Sequence, residues 1–222
     1  MQEHLNITQD LVAEGNYKEA LGRFMWFHAH ALEYDPGMYG IRLSIALVYW
    51  KNLGDIYPPA LKALVKIRDD SEKLIQQGKG DKNLFHDVLS INRILKQQDK
   101  SIALFELIDN KDEKLADEYW PMIKDYILEK RRHDIAKKFI KDLTKEFAEV
   151  KEIYGRNTNL YNDPHVGGAE FKNYNENYFV DQIKELVDLA RALEDEASAI
   201  SVLDSAILVL DDQRLKDLIP GQ

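Results

Sequence analysis

The 222-residue chain contains no cysteine. Disulfides, thiolate metal sites and cysteine nucleophiles are excluded together. Glycine and proline are scarce, at 11 and 6 residues, which suits a chain that spends most of its length in helices. No apolar run approaches the roughly 20 residues that a membrane-spanning helix requires. The opening MQEHLNITQD is polar and lacks the apolar centre of a secretory signal. These absences lead to the expectation of a cytoplasmic protein with no membrane segment. Positive charge is short as well, leaving a net charge of −9. A chain so acidic is a poor general ligand for nucleic acid, because phosphates are neutralised by Lys and Arg.

The charge is unevenly spread. Residues 124–145 hold eight basic and four acidic side chains, so this segment is +4 and the remainder −13. Such a run is usually a solvated helix face, and its sharper reading is a dock for an acidic partner.

What the chain does have is helical spacing. Ala20, Phe24, Phe27, Ala31 and Tyr34 step by four and three, and Ala60, Leu64, Ile67, Ser71 and Leu74 repeat the pattern. Leu143, Phe147, Val150 and Tyr154 form another stripe, as do Ile183, Leu186, Val187 and Ala190, and Ile200, Leu203, Ile207 and Leu210. Turn residues divide these stripes into pairs. Gly15-Asn16 parts the first two helices, and Asp35-Pro36-Gly37 ends the second. Gly54 is expected to part the next two, with Pro58-Pro59 in the first turn of the helix that follows. Gly78-Lys79-Gly80-Asp81 closes that helix, and Pro121 is expected to start or kink one. About ten helices joined by short loops result, with no run of strand-like alternation.

The first pair carries a resemblance. Gly15-Asn16-Tyr17-Lys18-Glu19-Ala20-Leu21, then Phe24, then Ala31-Leu32-Glu33-Tyr34-Asp35-Pro36 resembles the second half of a tetratricopeptide repeat, a helix-turn-helix unit of 34 residues. Ala31-Leu32 comes four residues later than in that pattern; four residues are about 1.1 helical turns, so the same face stays inward. The added turn holds MWFHAH. Its His28 and His30 point roughly 200° apart on a helix, which suits packing or surface roles rather than a chelate. Trp50-x-x-Leu53-Gly54-x-x-Tyr57 also matches the family's first-helix pattern. That register needs helix through Pro58-Pro59, so the expectation keeps Gly54 as the turn. The resemblance is close over residues 5–36, looser to about residue 77, and architectural beyond. It implies an all-α, right-handed superhelix of antiparallel helix pairs, a concave face that binds a protein or peptide, and no catalysis.

Residues 156–177 (RNTNLYNDPHVGGAEFKNYNEN) lack helical spacing, and are expected to form a long irregular insertion in a single domain spanning 1–222. Asp163 and His165 within it could bind metal or act as an acid/base pair, joined by Glu118, His86 or His133 only through folding. No nucleophile or further ligand accompanies them, and Gly167-Gly168 lacks the lysine of a phosphate loop.

The favoured expectation is therefore a non-enzymatic binding module with no cofactor and no metal. Register places Arg42, Tyr49, Asn92 and Arg93 from first helices at the partner, with Tyr161 and Tyr174 from the insertion. The alternatives are an acidic immunity or regulatory protein that neutralises one partner, and a metal-dependent enzyme using residues 156–177. Ile207-Leu208-Val209-Leu210 would give a homodimer if those helices lack a capping partner.

Overall fold

The computed structural model describes residues 2–220. Among them the chain is all-helical. The helices are α1 Gln2–Ala13, α2 Tyr17–Tyr34, α3 Tyr39–Arg42, α4 Ile45–Ile56, α5 Pro58–Gln76, α6 Lys82–Ile94 and α7 Gln98–Asp109. They continue with α8 Glu113–Glu129, α9 His133–Phe139, α10 Leu143–Thr158, α11 Ala169–Ala192, α12 Glu196–Val209 and α13 Gln213–Lys216. None of them is long and apolar enough to cross a membrane.

The helices stop in one recurring way. Gly15 sits at φ +82°, in the left-handed region that glycine enters without a Cβ penalty. Around it, Asn16 N–H donates to the Leu11 carbonyl and Gly15 N–H to Val12, which satisfies carbonyls at the end of α1. Gly78 ends α5 with the same pair of bonds. So do Lys96, Arg131 and Glu194, which adopt φ of 56°, 53° and 60° without being glycine.

The chain forms two compact units, residues 1–123 and 124–222, where the sequence suggests one domain. In the first, α1 packs on α2, α2 on α4, α4 on α5, α5 on α6 and α6 on α7. Next-but-one contacts join α4 to α6 and α5 to α7, and α1 also reaches α4. Phe24, Phe27, Trp50, Leu53, Leu64 and Ile91 fill the core, and the Trp50 indole N–H donates to the Ala60 carbonyl at 2.9 Å. Tyr34, expected in the same stripe, is 67% exposed.

The turn expected at Gly54 lies three residues later. Helix α4 runs through Trp50, Leu53 and Gly54 to Ile56, and Tyr57 breaks it in the extended conformation that a following proline imposes. Gly54 is there for proximity: a Cβ would meet the Leu61 backbone and side chain at 3.0–3.1 Å. Trp50, Leu53 and Gly54 thus lie within α4 while Tyr57 stands between the two helices, because α4 ends before Pro58 and the prolines begin α5. Pro121, by contrast, lies inside α8.

In the second unit α11 packs on α9, α10, α12 and α13. Most of the expected insertion is helical: α10 continues to Thr158 and α11 starts at Ala169. Only residues 159–168 remain irregular. The asparagines mislead because Asn175 is fully buried and fully used. Its amide donates to the Tyr161 hydroxyl at 2.9 Å and the Tyr154 carbonyl at 3.3 Å, and its carbonyl accepts from Asn157 at 2.9 Å. These tertiary bonds outweigh the weak helix preference of Asn.

The helix stops are testable. Gly15→Ala is expected to lower stability by about 1–2 kcal/mol, while Lys96→Gly and Glu194→Gly each raise it by up to about 1 kcal/mol in urea denaturation. Equal effects at the three positions would show that the left-handed turn is not what limits them.

Candidate functional site

Two polar clusters lie inside the first unit. In one, Arg42 of α3 reaches Asp87 of α6 with both terminal nitrogens; Nη1 is 3.1 Å from Oδ2, and Nη2 makes a tighter bond to Oδ1. The same Nη1 donates to the His28 carbonyl at 3.2 Å and lies 3.3 Å from the His28 ring nitrogens. All three residues are buried. Burial, then the Arg42 charge, lowers the His28 pKa to about 4 against the pull of Asp87. The imidazole is neutral at pH 7 and the Asp87 side chain is engaged by arginine, so the cluster ties α2, α3 and α6 together. At its edge the Tyr39 hydroxyl lies 2.9 Å from His86 Nδ1.

In the other, buried Arg68 donates to Asn92 at 2.5 Å, Gln97 at 2.9 Å and Asp69 at 2.6 Å. Asn92 in turn donates to Ser101 at 3.1 Å, which joins α5, α6 and α7.

Both clusters displace sequence-predicted contact residues. Arg42 and Asn92, expected to face a partner, are interior side chains at 5% and 0% exposure. Register cannot distinguish a polar residue on an open face from one that finds a buried partner 24 or 45 positions away. Tyr49 is half-buried; Arg93 is exposed and donates to the Leu43 carbonyl at 3.2 Å. In the second unit Tyr161 is half-buried as a strut for Asn175, and Tyr174 is 63% exposed and stacks on Tyr178. Asp163 caps its own loop by accepting from the His165 and Val166 amides, while the His165 side chain is exposed. His30 pairs with Glu33 at 3.1 Å, away from His28. Among the described residues no three His, Asp or Glu side chains are placed to hold one metal ion.

The sequence reading missed an aromatic face on the first hairpin. Trp26 stacks on His4 with ring centres 4.9 Å apart, and its ring is 5.4 Å from His30 and 5.5 Å from Tyr34. His4 is held by the Arg23 carbonyl at 3.0 Å. Ile7, Met25 and Trp26 are 39%, 43% and 36% exposed. The signal was present: Trp26, His30 and Tyr34 are spaced by four, one position off the buried Ala20–Phe24–Phe27–Ala31 stripe.

In the second unit Lys124 pairs with Glu146 at 2.8 Å. Nearby Glu185 has its pKa raised to about 8, first by burial and then by the carboxylates of Asp125, Glu129 and Asp181.

Compared with known proteins, the chain matches no family model, no curated sequence and no solved structure.

Two measurements test these clusters. Asp87→Ala strands the Arg42 charge and is expected to cost about 3–5 kcal/mol, whereas the Arg42→Met/Asp87→Leu double variant costs less than the single one. A double variant as unstable as Asp87→Ala would refute the assignment.

The pH dependence of the two units should run in opposite directions. His28 titrates in the folded chain near 4, below its ordinary 6.5, so its contribution is complete above pH 6.5 and lost as pH falls towards 4. Glu185 titrates near 8, above its ordinary 4.5, so its contribution is complete below pH 4.5 and lost as pH rises to 8. Glu185→Gln should flatten the alkaline decline and leave the acid one; denaturation curves from pH 4 to 9 check both.

Proposed function

We propose that the first unit is a tetratricopeptide-like stack of helix pairs that binds a protein or peptide without catalysis. The helix order in space supports the reading: α4, α5, α6 and α7 each pack on the next, and α2 to α4, α4 to α6 and α5 to α7 meet as next-but-one neighbours, as in a stack whose repeats bury their apolar stripes only against neighbours. In that family the helix pairs wind into a right-handed superhelix, and the same winding is proposed for this unit. The observation that carries the binding role is the aromatic face of the first hairpin. Trp26 and Tyr34 are 36% and 67% exposed, and tryptophan and tyrosine are the side chains from which protein contacts gain most. The contact surface proposed is therefore this face, with Arg42 and Asn92 left as interior struts.

The chain carries three tryptophans, and Trp50 and Trp120 are 1% and 8% exposed, so acrylamide reaches mainly Trp26. A partner retained by the wild-type chain in affinity capture should protect Trp26 from quenching and should be lost with Tyr34→Ser and Trp26→Ser. The Tyr34 change should leave stability within about 0.5 kcal/mol, as expected of a surface position. A partner retained equally by all three chains would overturn the proposal.

A further inference from the structure

Helix α12 has apolar side chains on both sides. Ala199, Val202, Leu203 and Ala206 are buried against the rest of the second unit. On the opposite side Ile200 is 42% exposed and Leu208 is 89% exposed, although the sequence places Ile200 in the inward stripe. Leu193, just before the helix, is 40% exposed. Ala197, Ile200, Ser201, Asp204 and Leu208 follow one another at intervals of three and four or adjoin, and all are exposed. They form a single stripe whose helical part, 197–208, is roughly 17 Å long at 1.5 Å per residue. A helix apolar on every side is ordinarily covered on every side.

The surroundings of this stripe decide what can cover it. Residues 192–213 contain six carboxylates and no Lys, Arg or His. Glu196, Asp211 and Asp212 are paired with Arg191, Lys216 and Arg214, and Asp195 caps α12 through the Ser198 amide. Glu194 and Asp204 are exposed and have no partner among the described residues. Asp204 lies in the middle of the apolar stripe. A second copy of this chain would bring the same unpaired carboxylates face to face, which is repulsive at helix-to-helix distance. A partner helix with leucine-like side chains on one face and Lys or Arg beside them would meet both features.

We propose that the outer face of α12 is a docking site for a basic amphipathic helix of about three turns, with Ile200 and Leu208 as apolar anchors and Asp204 and Glu194 as counter-charges. The surface lies wholly within the second unit and is independent of the aromatic face of the first.

The probe is a labelled model helix of leucine and lysine, with leucine at i, i+3, i+4 and i+7, followed by fluorescence anisotropy on the full chain. The control has glutamate at every lysine. The lysine helix should bind and the glutamate helix should not. Leu208→Ser and Ile200→Ser should each weaken binding about tenfold, and Leu208→Ser should leave the thermal midpoint unmoved because Leu208 is 89% exposed. Asp204→Asn should weaken it about threefold and reduce its salt dependence. Unchanged affinity in the Leu208→Ser chain, or equal binding of the glutamate helix, would overturn the proposal. So would a wild-type dimer in sedimentation that Leu208→Ser makes monomeric, since the occupant would then be a second copy.

Discussion

A helix can fold back on its neighbour only if the chain reverses within a few residues, and in this protein the reversal repeatedly depends on one left-handed residue. Gly15, Gly78, Lys96, Arg131 and Glu194 each occupy that position, and the residue after each closes a bond to a carbonyl five positions back. Across these turns α1 packs on α2, α6 on α7 and α11 on α12. At three of the five positions a side chain is forced into a conformation that costs roughly 1–2 kcal/mol, so hydrophobic contact across the hairpin must offset the cost. The hairpins are thus held from the core outwards, with their turns following.

This bears on what could be read from the sequence. Apolar stripes at 3.6-residue spacing located most helices, because periodicity is a local property. Gly15 and Pro58 marked two boundaries because their backbone chemistry is local too. Lys96, Arg131 and Glu194 carry no such mark; nothing in their side chains announces a left-handed turn, and only tertiary packing imposes it. Asn175 illustrates the opposite error. Its composition argues for a loop, yet three hydrogen bonds from distant residues turn it into the buried pivot of a helix. Arg42 and Asn92 resemble surface residues in the sequence for the same reason: their partners are remote in sequence and invisible to register.

The buried polar clusters also say something about uniqueness. Apolar stripes on successive helices are nearly interchangeable, and a stack built from them alone could slip. Arg42 accepts one arrangement of α2, α3 and α6, in which Asp87 and the His28 carbonyl meet it together; Arg68 does the same for α5, α6 and α7. The Arg42–Asp87 ion pair adds little net stability but penalises wrong pairings heavily, because a misplaced guanidinium would be left buried and unpaired; Arg68 reaches its neighbouring helices through the neutral Asn92 and Gln97. They act as registration pins, one between α3 and α6 and one between α5 and α7.

Helix α11 places a different demand on the second unit. Most of its residues from Phe179 to Ala190 are buried, on a helix packed by α9, α10, α12 and α13, whereas Asp181 is exposed. Its first two turns are mostly exposed and are anchored through Asn175. One continuous helix therefore spans the whole range of hydrogen-exchange protection, from amides freed by local fraying to amides freed only by unfolding of the unit. Within a single rod, amide exchange is expected to be fastest at residues 169–174 and slowest at the buried positions between 179 and 190.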